Sequence, residues 1–164
     1  MKSSIVHAVS TAVFLGVVTV GLVQPVYAQQ GKALAEMSFD SIDTKGKGYL
    51  DQGDMEEARK GIFSSMDADE NKSIELSEML AWDFGFQNIA EDQNKQLAYT
   101  TALKVVFSFW DRNGDGKITN TEHRKAILRD FERADLNDNA VLEKSEFIGG
   151  FSMLVAIRAA LKPE

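Results

Sequence analysis

Oxygen-bearing side chains recur at alternate positions in three twelve-residue stretches of the chain, residues 67–78, 111–122 and 135–146. In each stretch, Asp, Asn, Thr or Glu occupies positions one, three, five, nine and twelve. A hard divalent cation of the size of calcium takes about six to eight oxygen ligands at about 2.3–2.6 Å. Alternating side chains, a backbone carbonyl at position seven and a bidentate glutamate at position twelve would supply them from one loop. The sequence therefore predicts about three Ca²⁺ sites.

We number the loops in chain order and count a degraded copy of the pattern, residues 43–54, as the first. The predicted ligands are Asp67, Asp69, Asn71, Ser73, Glu75 and Glu78 in the second loop, Asp111, Asn113, Asp115, Lys117, Thr119 and Glu122 in the third, and Asp135, Asn137, Asn139, Val141, Glu143 and Glu146 in the fourth. Ser73, Lys117 and Val141 stand at position seven, where the ligand is the backbone carbonyl.

The loops differ at position six, where the chain must turn through a left-handed conformation. Gly116 suits this position in the third loop because glycine adopts positive φ at little cost. Lys72 and Ala140 occupy it in the second and fourth loops, where a side chain costs roughly 1–2 kcal/mol. We therefore expect the third loop to bind calcium most tightly and the other two more weakly.

The first loop keeps the frame but loses the ligands. Asp43 and Gly48 are in place, whereas Lys45 and Lys47 bring positive charge to positions three and five. Asp54 at position twelve is shorter than the usual glutamate. We expect this loop to be metal-free and structural.

Apolar residues repeat in register with the loops. A phenylalanine lies four residues before each loop, and a leucine or isoleucine occupies each position eight; these residues are Phe39, Phe63, Phe107 and Phe131, then Leu50, Ile74, Ile118 and Leu142. One alternative is that the acidic loops are merely solvated turns, but that would not explain the matched apolar positions. Another is a dockerin-type loop, which would lack the entering helix that each phenylalanine indicates. Over residues 32–161 the pattern resembles the EF-hand family, within the calmodulin-like superfamily.

The resemblance implies an all-α fold of four helix–loop–helix motifs with short strand pairs between loops. Only twelve residues separate the first loop from the second, and the third from the fourth. Two helices would each be too short there, so one shared helix is predicted over 51–66 and one over 119–134. Loops at opposite ends of one helix cannot pair. The second loop should therefore pair with the third through Ile74 and Ile118, and the first with the fourth through Leu50 and Leu142.

Residues 79–110 have room for two helices with a turn at Gly85. Apolar residues follow helical spacing there and near the C-terminus, and five methionines lie nearby. We interpret these residues as core; a groove that opens with calcium is the alternative.

Residues 1–28 have the features of a cleaved export signal: Lys2, an apolar stretch from Ile5 to Val23, and an expected cleavage site between Ala28 and Gln29. An uncleaved membrane anchor is the alternative; after cleavage no membrane span is expected. Residues 29–164 then form one domain in the periplasm or outside the cell, as in an exported bacterial protein. The chain has no cysteine, and its net charge of −7 argues against nucleic-acid partners.

No catalytic constellation is evident, and His123 is expected at the surface, so we expect no enzyme. The predicted function is calcium binding as a buffer or calcium-stabilised module. The alternatives are a calcium sensor, or an accessory subunit, with an unidentified periplasmic, membrane or secreted protein partner.

Overall fold

The computed structural model describes residues 24–162. Most of the expected export signal, residues 1–28, lies outside these residues, and it stays a prediction. The elements in chain order are α1 (Gln24–Ile42), β1 (Tyr49–Leu50), α2 (Gln52–Met66), β2 (Ser73–Glu75), α3 (Leu76–Ala81), α4 (Phe86–Asp92), α5 (Gln96–Trp110), β3 (Lys117–Thr119), α6 (Asn120–Ala134), β4 (Leu142–Glu143), α7 (Lys144–Gly150) and α8 (Ser152–Ala160). The described chain is mostly helical, as predicted.

The two shared helices are confirmed to within one residue by α2 and α6. Each begins at a capping box. The side chain of Asp51 or Thr119 accepts from the backbone N–H of the residue three positions later, and the carboxylate of that residue accepts from the backbone N–H of Asp51 or Thr119. Each ends where the first aspartate of the next loop leaves helical backbone angles. One helix therefore leaves one loop and enters the next, and fixes the two loops at its opposite ends.

The predicted loop pairing is also confirmed. β1 pairs antiparallel with β4, with Leu50 opposite Leu142. β2 pairs antiparallel with β3, with Ile74 opposite Ile118. All four side chains are fully buried, so each two-stranded ribbon covers one end of the core.

The segment between the second and third loops holds one helix more than predicted. The chain turns at Gly85, which has φ +99°, as expected. A second break follows α4, where Asn94 has φ +55°. We did not predict this break because no glycine or proline marks it in the sequence. Asn94 adopts the left-handed angles instead, which asparagine tolerates better than most residues.

All eight helices of the described chain contribute to one hydrophobic core. Its members include the four phenylalanines that precede the loops and the methionines at 55, 66, 79 and 153, whereas Met37 is exposed. The interpretation of these residues as core holds except for Met37. Among residues 24–162, no helix has both the length and the apolar character needed to cross a membrane.

His123 is fully buried, so the prediction that it lies at the surface is wrong. It lies on α6 between the rings of Phe63 and Trp110, with centroid distances of 5.6 and 5.1 Å. Neither ring nitrogen has a hydrogen-bond partner. The helix phase explains the error: His123 shares the inward face of α6 with Ile127, four residues on.

Burial of His123 predicts a loss of stability in weak acid. Burial, together with the positive charge of Arg59, lowers the pKa of His123 to about 4, while Glu56 acts in the opposite direction. Because the unfolded chain binds the proton near pH 6.5, this stability is present above pH 6.5 and is lost as the pH falls toward 4. The loss should reach about 3 kcal/mol. Urea unfolding in chelator from pH 7 to 4 measures it. His123→Leu should remove this part of the pH dependence, and an unchanged profile would contradict the assignment.

A close helix contact predicts the effect of one added methyl group. A Cβ on Gly150 would lie 2.5 Å from the Cβ of Ala134, whereas a Cβ on the neighbouring Gly149 would meet nothing within 4 Å. Gly150→Ala should therefore lower the free energy of unfolding by about 1–3 kcal/mol. Gly149→Ala, the matched control, should leave it unchanged or raise it by about 0.5–1 kcal/mol. Urea unfolding of both variants tests this, and equal effects would contradict the packing described.

Candidate metal centres in the loops

The four loops share one backbone frame. Residues at positions four and six have positive φ, between +54° and +83°, in every loop; they are Gly46 and Gly48, Glu70 and Lys72, Gly114 and Gly116, and Asp138 and Ala140. The left-handed turn predicted at position six is confirmed, including at Lys72 and Ala140. The turn at position four was not predicted, although glycine at 46 and 114 could have indicated it.

Each loop begins in the same way. The first aspartate donates its backbone N–H to the carbonyl of the phenylalanine four residues earlier, at 2.8–3.0 Å in all four cases. Its carboxylate then accepts from the backbone N–H at position six, for example Asp67 from Lys72 and Asp135 from Ala140, each at 2.9 Å. The position-one carboxylate therefore lies inside its loop.

The glutamate at position twelve joins the two ends of its loop. In the second loop, Glu78 accepts from Ala68 at 2.8 Å with one oxygen and from Glu75 at 2.8 Å with the other. Glu146 accepts in the same way from Leu136 and Glu143, each at 3.0 Å. Both oxygens of these glutamates thus lie within the loop, as bidentate binding requires.

Glu122 follows the same rule in the third loop. One oxygen accepts from Arg112 at 3.2 Å and from Asn113 at 3.3 Å, and the other accepts from the backbone of Thr119 at 3.0 Å and from its hydroxyl at 2.7 Å. Burial alone would raise the pKa of Glu122, but these hydrogen bonds from Thr119, Asn113 and Arg112 together lower it. The carboxylate is therefore held in its charged form.

The second loop brings its carboxylates closest together. One oxygen from each of Asp67, Asp69 and Glu78 lies within 4.8 Å of the others, and this is the one such carboxylate group among residues 24–162. Oδ1 of Asp67 is buried and has no hydrogen-bond partner. A buried carboxylate oxygen without a hydrogen-bond donor is energetically unfavourable unless a cation binds to it. The residues present thus fit a hard divalent cation.

Amides replace some of the carboxylates in the other two loops. Oδ1 of Asn113 accepts from the backbone of Asp115 at 2.8 Å, and Oδ1 of Asn137 and of Asn139 likewise accept from backbone two residues on, at 3.1 and 3.0 Å. Their oxygens therefore face into the loop. The expectation that the third loop binds most tightly rests on Gly116 and stays a prediction.

One predicted ligand of the second loop has another partner in the structure. The carboxylate of Glu75, at position nine, lies 3.2 Å from the ammonium of Lys117 on the paired strand. We did not predict this cross-strand ion pair, although antiparallel pairing of Ile74 with Ile118 places Glu75 opposite Lys117. To bind calcium in the second loop, Glu75 would have to release Lys117 or coordinate the ion through a water molecule.

The first loop contains a cation of its own. The ammonium of Lys47 contacts the carboxylates of Asp51, at 2.6 Å, and of Asp54, the residues at positions nine and twelve. It also lies 4.8 Å from the centre of the Tyr49 ring. The hydrogen bond from Lys47 lowers the pKa of Asp51 to about 2. We predicted that lysine would prevent metal binding; the sequence did not show that Lys47 would satisfy the loop's remaining carboxylates.

This arrangement predicts a selective effect of removing Lys47. In Lys47→Met, Asp51 and Asp54 lose their partner, so the free energy of unfolding should fall at neutral pH. Because the folded pKa of Asp51 is lowered, the wild-type stabilisation is present above pH 3.8 and is lost as the pH falls toward 2. The two proteins should therefore converge in acid.

Thermal unfolding from pH 7 to 2 measures this difference. Lys45→Met is the matched control, since Lys45 is 73% exposed and lies 3.9 Å from Asp54; it should change stability little. Equal losses in the two variants would contradict the role given to Lys47.

Residues 103–124, which comprise the end of α5, the third loop and the start of α6, match the family model described as EF hand. No curated protein matched the chain. No solved structure matched it either. The family match supports calcium binding, and it lies on the loop whose sequence is most complete.

Proposed function

We propose that this chain binds calcium at its second, third and fourth loops and serves as a buffer or a calcium-stabilised module. The observation that carries the proposal is the closing glutamate of each of these loops. Glu78, Glu122 and Glu146 each turn both oxygens inward and connect the two ends of their loop. The family match at residues 103–124 supports the same conclusion for the third loop.

In the second loop, Asp67, Asp69 and Glu78 would hold the ion directly, with Asn71 and the carbonyl of Ser73 beside them. The third and fourth loops offer the same positions, with asparagine oxygens in place of some carboxylates. A bound calcium ion would neutralise these carboxylates and link the two ends of each loop. Because binding to the folded state alone stabilises it, calcium should raise the free energy of unfolding by about 2.7 kcal/mol at a hundredfold excess over Kd.

Loop pairing makes the sites interdependent. The second and third loops share the β2–β3 ribbon, and the fourth loop shares β1–β4 with the metal-free first loop. Lys47 would keep the first loop formed whether or not calcium is present. The fourth loop would then have a permanent partner, whereas the second and third would order each other as they fill.

One observation favours the alternative of a calcium sensor. A cavity of about 240 Å³ with mostly apolar walls lies between α1, α2 and α8, lined in part by Ile62, Trp82 and Phe84. Calcium-dependent binding of a hydrophobic dye would favour a sensor, and its absence would favour a buffer or module.

We also propose that residues 1–28 direct export of the protein to the periplasm or beyond, a proposal that the sequence supports. We attribute no catalytic reaction to the chain.

Calorimetric titration of chelator-stripped protein with calcium tests the proposal. Three sites are expected, two of them weaker, and each of the variants Glu78→Gln, Glu122→Gln and Glu146→Gln should lose one site. Glu70→Gln is the matched control: Glu70 is exposed at position four of the second loop, so this variant should keep all three sites. A fourth site would contradict the role of the first loop, and no binding at millimolar calcium would contradict the function.

A further inference from the structure

A surface groove that borders the third and fourth loops concentrates exposed apolar side chains. It has a volume of about 710 Å³ and lies between α5, α6, α7 and α8. Val105, Phe109, Leu136 and Val155 line it with exposed fractions of 47%, 69%, 81% and 41%. These are four of the eight large hydrophobic residues that are exposed in the described chain. Soluble proteins seldom cluster such residues without a binding role.

The charges of the groove are opposite to those of the chain as a whole. Arg112, Arg129 and Arg133 line it, and no lysine does, in a protein with a net charge of −7. Arg133 pairs with Asp130, whereas Arg112 and Arg129 form no ion pair with any residue in 24–162. Arginine and aromatic residues are the types enriched where proteins bind one another, and lysine is depleted there.

The acidic residues of the groove do not offset these arginines. Asp130 is 4% exposed and accepts from the backbone and hydroxyl of Ser152 as well as from Arg133. Glu146 is 7% exposed, and its two oxygens accept from Leu136 and Glu143. The surface that a partner would meet therefore combines exposed apolar side chains with the positive charges of Arg112 and Arg129.

We propose that this groove is a docking surface for an acidic amphipathic helix of another protein. Apolar residues along one face of the partner helix would contact Phe109, Val105 and Val155. Glutamates or aspartates beside them would pair with Arg112 and Arg129. The groove is walled by helices and has no strand edge to extend, which favours a helix over an extended peptide. Residues 1–23 of the chain itself contain no carboxylate and would leave the arginines unpaired.

A set of labelled synthetic peptides tests the proposal by fluorescence anisotropy. Each has leucine or phenylalanine at helical spacing and glutamate at the flanking positions; controls carry lysine in place of glutamate, or the same residues in scrambled order. The acidic peptides should bind about tenfold or more tightly than either control. Titrations in calcium and in chelator are both made, so binding in either condition supports the groove even if the loops bind no calcium.

Two matched pairs of variants locate the site. Phe109→Glu should weaken binding about tenfold or more, whereas Leu97→Glu, on the same helix at 80% exposure and outside the groove, should not. Arg129→Glu should abolish the preference for acidic over basic peptides, whereas Lys125→Glu, also exposed on α6, should preserve it.

Any of four results would overturn the proposal. The first is no binding of any acidic peptide in either condition, and the second is an equal loss of binding in the groove variants and their controls. Another is a dimer in sedimentation that Phe109→Glu dissociates, which would show that a second copy covers the groove. The last is Arg129-dependent binding to anionic lipid vesicles without binding to the peptides.

Discussion

The two helices that each serve two loops constrain the whole molecule. Twelve residues between loop ends leave space for one helix, and a helix of 15 residues, as in α2 and α6, holds its two loops about 22 Å apart. Those loops therefore cannot form a strand pair with each other. Each must pair with a loop from the other half of the chain, which brings Leu50 to Leu142 and Ile74 to Ile118. The single core follows, because α2 and α6 each belong to both loop pairs.

The carboxylate at position twelve differs between the loops. Glu78, Glu122 and Glu146 reach across their loops and collect backbone N–H groups from both ends, with both oxygens turned inward. Asp54 in the first loop is one methylene shorter, and Lys47 supplies the positive charge there. The first loop thus balances its carboxylates with the tethered ammonium of Lys47, whereas we propose that a calcium ion does so in the other three loops.

Much of this was predictable from the sequence because the repeat imposes it locally. Loop registers, the phenylalanine before each loop, the shared helices and the pairing partners all follow from spacing. Contacts that depend on how elements meet in space did not follow from it. Lys47 was recognised as a barrier to metal but not as a replacement for it. The Glu75–Lys117 ion pair was missed because strand register places two residues opposite each other without showing that their side chains make contact. His123 was misplaced because its neighbour Glu122 is a loop residue, and the inward face of α6 begins one residue later.

We propose that three loops hold calcium while the Lys47 ammonium occupies the first. A crystal structure of residues 29–164 grown in calcium, with anomalous scattering to locate the ions, tests this most directly. We predict ions in the second, third and fourth loops, each bound by both oxygens of its closing glutamate, and the Lys47 ammonium between Asp51 and Asp54. An ion in the first loop with Lys47 displaced, or loops that stay without ions in saturating calcium, would contradict this assignment of the loops.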